Sequence, residues 1–222
     1  GPSLNINACV VDAGTIVTDP SFQIIGPPEC SVNSSAYCGN DWEAAKSLPS
    51  AIIRNVYALT NSLGDTLQGL GYRGWFGLDL IIDDKTNHVY VIEVNPRFQG
   101  STSLLTITQC LQGLSPMVLY HLLSHANASQ EVVPEAVTEQ YRDTGQGSHI
   151  IVRAGAEPTK YKTVCTPGVY RSQDEQWQHT SSEVQYERAK DEEVVVHGTP
   201  PLGKEIPAHD RLFTIQSSRQ VL

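Results

Sequence analysis

The alternation of apolar and polar residues at the start of the chain predicts short β-strands. The runs from Asn5 to Val11 and from Thr15 to Val17 lie on either side of a turn that contains Gly14, which is typical of a hairpin. A third run, from Phe22 to Ile25, ends at a Gly-Pro-Pro turn. Residues 29–41 are rich in Ser, Asn, Gly and Cys, so we expect them to form a long ordered loop.

Apolar residues at helical spacing follow in the middle of the chain. They predict one amphipathic helix from Ser50 to Leu70, with Gly71 placed as a C-terminal cap. A second helix is expected from about Ser103 to Leu123, with a break between Gly113 and Pro116. The apolar side of the first helix is a surface on which a sheet can pack.

The polar segment 127–147 separates these helices from a tail of short β-like runs. We therefore predict an α+β fold, with an antiparallel sheet packed with helices in residues 3–145 and a small β-rich domain in residues 146–222. Gly1-Pro2 resembles the remnant that a protease leaves when it removes a tag, and we expect the chain to be a fragment of a longer protein. The β-like runs of the tail are His149 to Arg153, Tyr161 to Val164, Val169 to Arg171, Glu193 to Val196 and Leu212 to Ile215.

A hairpin with a polar turn is predicted between residues 78 and 94. If the turn centres on Thr86, Asp79 lies directly opposite Glu93, and Asn95 follows one pleat further on. Because side chains alternate between the two faces of a strand, one face would be wholly apolar and able to pack on the preceding helix. That apolar face would consist of Leu78, Leu80, Ile82, Tyr90, Ile92 and Val94.

Two facing carboxylates repel one another unless a cation lies between them. Two carboxylates and the carboxamide of Asn95 form an all-oxygen ligand set, which a hard ion such as Mg²⁺ accepts while it keeps positions for water or phosphate oxygens. Arg97 offers a planar guanidinium that can bind a phosphate or a carboxylate through two hydrogen bonds. The pattern therefore indicates a clamp that holds a metal ion and a nucleotide.

Other interpretations of the same residues stay open. Acidic residues on a strand are commonly part of a solvated polar face, which would need no ligand. Asp79 and Glu93 are also close enough to act as the acid and base of a glycosidase, although Asn95 and Arg97 fit that chemistry less well.

Two further clusters have a functional and a structural interpretation. His121 and His125 stand at helical spacing that could bring two imidazoles to one metal ion, but ordinary surface histidines are the simpler interpretation. The Gly100-Ser-Thr-Ser103 cluster could bind an anion at the start of the second helix, and capping of that helix is the simpler interpretation.

Composition narrows the choice of partners. The chain has 222 residues and 40% hydrophobic residues, which is ordinary for a globular protein. Fifteen basic and twenty-four acidic residues give a net charge of −9, so nucleic acid is not an expected partner. Its five scattered cysteines indicate neither a disulfide framework nor a zinc site. No continuous apolar stretch of about 20 residues occurs, so we expect no membrane partner and a cytoplasmic protein.

The hairpin resembles the metal-binding end of ATP-grasp enzymes. Its last strand reads Ile92-Glu-Val-Asn-Pro-Arg97, which resembles the signature of the branch that contains carbamoyl-phosphate synthetase and biotin carboxylase. The resemblance implies that Asp79, Glu93 and Asn95 hold Mg²⁺ or Mn²⁺ against the phosphates of ATP, with Glu93 also a nucleotide-binding residue. It implies that Arg97 stabilises a transition state that resembles an acyl phosphate.

The resemblance extends upstream to Pro20-Ser-Phe-Gln23, where it implies that Gln23 lies near the nucleotide. The basic residues that follow this glutamine in biotin carboxylases are replaced by Ile24-Ile-Gly-Pro-Pro28, which argues against bicarbonate as the substrate. The lobe that carries the phosphate-binding lysines and the Gly-rich loop is not recognisable in the sequence.

The function that the resemblance implies is ATP-dependent ligation. A parent enzyme would activate a small-molecule carboxylate as an acyl phosphate and transfer it to an amine, with its N-terminal lobe as the partner of this chain. We expect the isolated fragment to turn over no ATP. A biotin carboxylase-like activity and a non-catalytic binding module with the same fold are the alternatives.

Overall fold

The structure, a computed structural model, describes residues 1–162, 165–174, 176–184, 186–188 and 192–222. They form two compact units. The first unit contains residues 1–22 and 44–146, and the second contains residues 23–43 and 147–222. The sequence-based division placed residues 23–43 with the first part instead.

Strands and helices are numbered in chain order. The described strands are β1 (Ser3–Val11), β2 (Gly14–Val17), β3 (Ser21–Ile25), β4 (Tyr37–Asp41), β5 (Gly74–Ile82), β6 (Val89–Asn95), β7 (Ser148–Arg153), β8 (Thr159–Lys160), β9 (Gly168–Gln173), β10 (Gln176–Ser181), β11 (Glu193–His197), β12 (Glu205–Ile206) and β13 (Arg211–Ser217). The described helices are α1 (Trp42–Ala45), α2 (Ser50–Gly69), α3 (Thr102–Leu111), α4 (Met117–His125) and α5 (Pro134–Gln140), with a short 3₁₀ turn at Tyr186–Arg188.

Strand β1 is the centre of the first unit. It pairs antiparallel with β5 along eight residues, and β5 pairs antiparallel with β6. On its other edge β1 pairs with β2, from Ala8 opposite Val17 to Val11 opposite Gly14, so the predicted hairpin is confirmed. The first residues of β3 also pair with β1. This arrangement places β5 between β1 and β6 in one sheet.

Helix α2 covers one face of this sheet. Its buried Ile52, Val56 and Tyr57 pack with the alternate residues of β1 and β5, including Leu4 and Leu78. This contact is what the helical spacing of apolar residues requires, because the opposite side of the helix stays polar. The antiparallel sheet packed with helices confirms the predicted fold class.

The helix boundaries agree closely with the sequence. Gly71 follows the end of α2 with φ of 85°, the left-handed conformation that a glycine adopts after a helix. The predicted break in the second helix is confirmed, because α3 ends at Leu111 and α4 begins at Met117. Helix α5 was missed, since it lies in a segment whose apolar residues are too few to show a helical period.

The predicted loop at 29–41 was wrong for its last five residues, which form strand β4. Gly39, Asn40 and Asp41 pair with β7 of the second unit, and all three are fully buried. Polar residues are rare in a central strand, so the composition indicated a loop. Here Asp41 is satisfied inside the unit, where its Oδ2 accepts the backbone N–H groups of Val221 and Leu222.

The second unit contains an antiparallel sheet in the order β10-β9-β11-β13-β7-β4. Four of the five predicted runs correspond to β7, β9, β11 and β13. In the fifth run, Thr163 and Val164 lie outside the described residues, and the nearby strand β8 ends before Tyr161. Strand β10 was not predicted. Within the described residues, no helix is both long enough and apolar enough to span a membrane.

Candidate metal and nucleotide site

The two acidic residues of the hairpin face each other as predicted. Asp79 of β5 is the direct cross-strand partner of Glu93 of β6, and Gly77 is the partner of Asn95. Asp79 is half-buried, Glu93 is exposed and Asn95 is buried. The site therefore changes from the solvent-facing carboxylate of Glu93 to the buried amide of Asn95 over two residues of β6.

The rest of the predicted register is shifted by a β-bulge. Beyond Asp79, Leu80 pairs with Val91 and Ile81 pairs with Tyr90, so Ile92 is an extra residue in β6. An extra residue reverses the alternation of side chains along a strand. A regular hairpin centred on Thr86 would have paired Ile81 with Val91, so this part of the predicted register was wrong.

The predicted apolar face was wrong for the same reason. Tyr90 is 51% exposed and Ile92 is 65% exposed, whereas Val89 and Val91 pack against the core instead. Tyr90 faces Ile81, which lies on the same face as Asp79, and Ile92 is two residues further along β6. Two exposed apolar side chains thus lie beside the carboxylates on the outward face of the hairpin.

Hydrogen bonds join three of the predicted site residues. The Oδ2 atom of Asp79 accepts from the Nδ2 of Asn95 at 3.1 Å, and the Oδ1 of Asn95 accepts from the Nη2 of Arg97 at 3.0 Å. These two bonds fix which end of the Asn95 amide is the oxygen. Arg97 is exposed and also donates from Nη1 to the carbonyl of Phe98 at 3.2 Å.

The donor chemistry of this set fits a hard divalent cation. Carboxylate oxygens of Asp79 and Glu93 and the amide oxygen of Asn95 are the ligands that Mg²⁺ and Mn²⁺ prefer. Within the described residues, Glu93 makes no hydrogen bond or ion pair that would compete with an ion. No group of three His, Cys, Asp or Glu side chains that could hold a metal ion occurs in the described part of the chain, so the amide oxygen is needed as the third donor.

A buried polar network lies next to Asp79, and the sequence analysis missed it. Asn5 and Asn7 of β1 share hydrogen bonds with Ser101, and the indole N–H of Trp75 donates to the Oδ1 of Asn7 at 3.0 Å. All four residues are almost completely buried. The available signal was that asparagines recur at alternate positions in an otherwise apolar strand, because polar residues with a period of two indicate one polar face.

Ser101 belongs to that network and not to a helix cap. It occupies the position before α3 but makes no capping hydrogen bond with its side chain. Its hydroxyl instead donates to the Oδ1 of Asn5 at 2.9 Å. The predicted capping role of the 100–103 cluster was therefore wrong for Ser101.

His121 is not an ordinary surface histidine. Its Nδ1 accepts the backbone N–H of Trp75 at 3.0 Å, and its ring contacts the rings of Phe98 and His125. Burial, with a smaller contribution from His125, lowers the pKa of His121. Because Phe98 follows Arg97 directly, this contact anchors the segment that carries the guanidinium.

Gln23 lies on β3 and is half-buried, in the second unit. The carboxylates and the buried network lie in the first unit. Its role near a nucleotide stays a prediction.

The comparison with protein families bears directly on this site. Residues 10–101 match a family model described as an ATP-grasp domain, and the match includes Asp79, Glu93, Asn95 and Arg97. Residues 10–101 of the chain are therefore similar to an ATP-grasp domain. The resemblance seen in the hairpin is therefore confirmed. No curated protein matches the chain.

Solved structures share the fold of this chain. The biotin carboxylase domain of a single-chain bacterial carboxylase aligns with a TM-score of 0.59 and 14% identity, over 99% of this chain and 43% of that one. Rhizobium etli pyruvate carboxylase aligns with a TM-score of 0.56 and 15% identity, over 99% and 17% of the two chains.

A third structure with the same fold is a synthase. It is N5-carboxyaminoimidazole synthase from Aspergillus clavatus, in complex with ADP and 5-aminoimidazole ribonucleotide. It aligns with a TM-score of 0.54 and 9% identity, over 100% of this chain and 48% of that one. At these identities the likeness shows the fold, and the chain spans less than half of each of the three proteins.

Proposed function

We propose that the chain binds Mg²⁺ or Mn²⁺ with ATP on the outward face of the β5–β6 hairpin and is part of an ATP-dependent carboxylate–amine ligase. The observation that supports this most strongly is the direct pairing of Asp79 with Glu93, with Asn95 hydrogen-bonded to Asp79. Asp79, Glu93 and Asn95 would hold the ion. When bound, such an ion neutralises the negative charge of the triphosphate oxygens.

The exposed side chains of Tyr90 and Ile92 could contact the base of the nucleotide. Tyr90 and Ile92 lie beside Glu93 and offer an apolar surface to a planar base. Burial of such a base against them would contribute free energy in proportion to the area removed from water. The β-bulge supports the proposal, because a regular strand would have turned both side chains into the core.

Arg97 lies next to the site and has N–H groups that can stabilise the negative charge of a reacting oxyanion. Two of its five N–H groups bind Asn95 and Phe98, and the others make no hydrogen bond within the described residues. A guanidinium held by its neighbours loses less freedom when it binds an oxyanion. We assign to Arg97 the binding of the phosphoryl or carboxylate oxygens as the acyl phosphate forms and as the amine then displaces phosphate to give an amide or peptide bond.

A carboxylase is the second candidate, because several of the structures that share the fold are biotin carboxylases. The apolar Ile24-Ile25-Gly26 sequence speaks against it, since bicarbonate requires positively charged or hydrogen-donating side chains. A non-catalytic module with the same fold is an outcome of the experiment described next.

Calorimetric titration with ATP tests the proposal. We expect Mg²⁺-dependent binding that is lost in Asp79→Ala and in Glu93→Ala, because each substitution removes a carboxylate ligand. Asp84→Ala is the matched control, since Asp84 is an exposed carboxylate in the turn of the same hairpin. Binding that stays unchanged in both site variants would contradict the proposal and favour a binding module.

A further inference from the structure

We propose that Asn5 is a positioning residue that sets the direction of the Asp79 carboxylate at the metal site. Asn5 lies on β1 directly opposite Asp79 and is 3% exposed. This inference rests on the proposed function of the hairpin and assigns a role to a residue that lies outside the segment matched to the ATP-grasp domain.

The amide of Asn5 can adopt only one orientation. Its Nδ2 lies 3.0 Å from the Oδ1 of Asp79 and 3.0 Å from the Oε1 of Gln99, with a longer contact of 3.3 Å to the carbonyl of Leu78. Its Oδ1 accepts from the hydroxyl of Ser101 and from the amide of Asn7. A flipped amide would place its oxygen against the carboxylate oxygen of Asp79, which cannot donate, so the bond to Asp79 would be lost.

Asn5 therefore joins parts of the chain that are distant in sequence. It links Asp79, on β5, with Gln99, in the segment that follows the site residues of β6. Gln99 can reach Asn5 because residue 77 is glycine: a Cβ at Gly77 would lie 1.7 Å from the Oε1 of Gln99. The missing side chain at Gly77 leaves the space that the Gln99 amide occupies.

Each of the two oxygens of Asp79 accepts a hydrogen bond from an amide. Asn5 donates to Oδ1 and Asn95 donates to Oδ2. Because each oxygen accepts a hydrogen bond from an amide on a neighbouring strand, the orientation of the carboxylate is set next to Glu93, its cross-strand partner. Hydrogen bonds of this kind orient metal ligands, and their loss commonly weakens metal binding by about 10- to 100-fold.

Asn7 provides a matched control. It is as buried as Asn5, lies on the same face of β1 and takes part in the same network, but its side chain bonds Ser101, Asn5 and Trp75 and does not contact Asp79 or Gln99. Asn5→Ala and Asn7→Ala both remove buried hydrogen bonds, so both should lower the denaturation midpoint. Only the first removes a hydrogen bond to Asp79.

The experiment is a titration of the chain with Mn²⁺, followed by the relaxation rate of water protons. We expect Asn5→Ala to raise the dissociation constant of Mn²⁺ by about 10-fold or more. Asn7→Ala should change it by less than about twofold, because the hydrogen bonds to Asp79 are kept. If Asn5→Ala does not fold, Asn5→Leu replaces it, because leucine has nearly the shape of asparagine but lacks the amide that donates to Asp79, and the same rise in the dissociation constant is expected.

The outcomes separate this inference from the proposed function. A wild-type chain that binds Mn²⁺, with equal affinities for wild type and Asn5→Ala, overturns the role of Asn5 and leaves the metal site intact. Equal weakening by Asn5→Ala and Asn7→Ala also overturns it, because the effect would then follow from lost stability. A wild-type chain that binds no Mn²⁺ overturns the metal site itself, and the role of Asn5 with it.

Discussion

Acidification should destabilise the second unit through His149. This residue lies on β7 and is 3% exposed, with its Nε2 3.2 Å from the hydroxyl of Tyr37. Its Nδ1 has no hydrogen-bond partner among the described residues. Burial lowers the pKa of His149 to about 3, with smaller contributions from the nearby His197 and Arg211.

The direction of the change in stability with pH depends on whether the folded or the unfolded chain binds the proton more readily. The unfolded chain protonates His149 near its ordinary pKa of 6.5, whereas the folded chain keeps it neutral until the pH approaches 3. Stability is therefore lost as the pH falls below about 6.5 and continues to fall down to the folded pKa. At pH 5 the loss from this one residue is about 2 kcal/mol, because each pH unit below 6.5 is worth about 1.4 kcal/mol.

The assay is urea denaturation followed by far-UV circular dichroism at pH 7.5 and pH 5, for wild type and for His149→Gln. Glutamine does not titrate and can keep a hydrogen bond to Tyr37. Protonation of other groups contributes to both proteins and cancels in the comparison. We expect the wild type to lose about 2 kcal/mol more than the variant between the two pH values. An equal loss in both proteins would refute the assignment of a low pKa to His149.

Two further predictions concern the hairpin and its surroundings. Gly77→Ala should lower the free energy of unfolding by about 1–3 kcal/mol, because the new Cβ would overlap the Gln99 amide. Gly69→Ala is the control: no atom lies within 4 Å of its new Cβ, so it should be neutral or stabilising. Urea denaturation measures both, and an unchanged free energy for Gly77→Ala would show that Gln99 can move away freely. Ile92→Ser should weaken ATP binding by roughly fivefold in calorimetry, because about 1 kcal/mol of apolar contact is lost. Leu70→Ser, at another exposed apolar position, should leave ATP binding unchanged. Equal affinities for wild type and Ile92→Ser would exclude Ile92 from the base-binding surface.

The pairing of Asp79 with Glu93 could be predicted because it depends on short-range alternation around one turn. The shift at Ile92 could not, since an extra residue in a strand changes neither its composition nor its hydrophobicity. Tyr90 was therefore expected on the buried apolar face, but its side chain is exposed. One irregular residue decides which side chains accompany the carboxylates.

Residues whose partners are distant in sequence were harder to assign. Asn5 is bonded to residues 74, 94 and 96 positions away, and no local pattern shows those contacts. Strand β4 was missed for a similar reason, because Asp41 is satisfied by backbone groups at the other end of the chain. In both cases polar residues that indicate solvent exposure are buried, since the fold supplies their hydrogen bonds.

The bulge in β6 also bears on self-association. In the first unit β6 pairs only with β5 among the described strands, so its other edge has backbone groups that could recruit a strand from a second molecule. The extra residue at Ile92 breaks the regular spacing of those groups halfway along the edge. An incoming strand could therefore stay in register over only a few residues. The bulge thus disfavours fibril growth from an edge that carries exposed aromatic and aliphatic side chains.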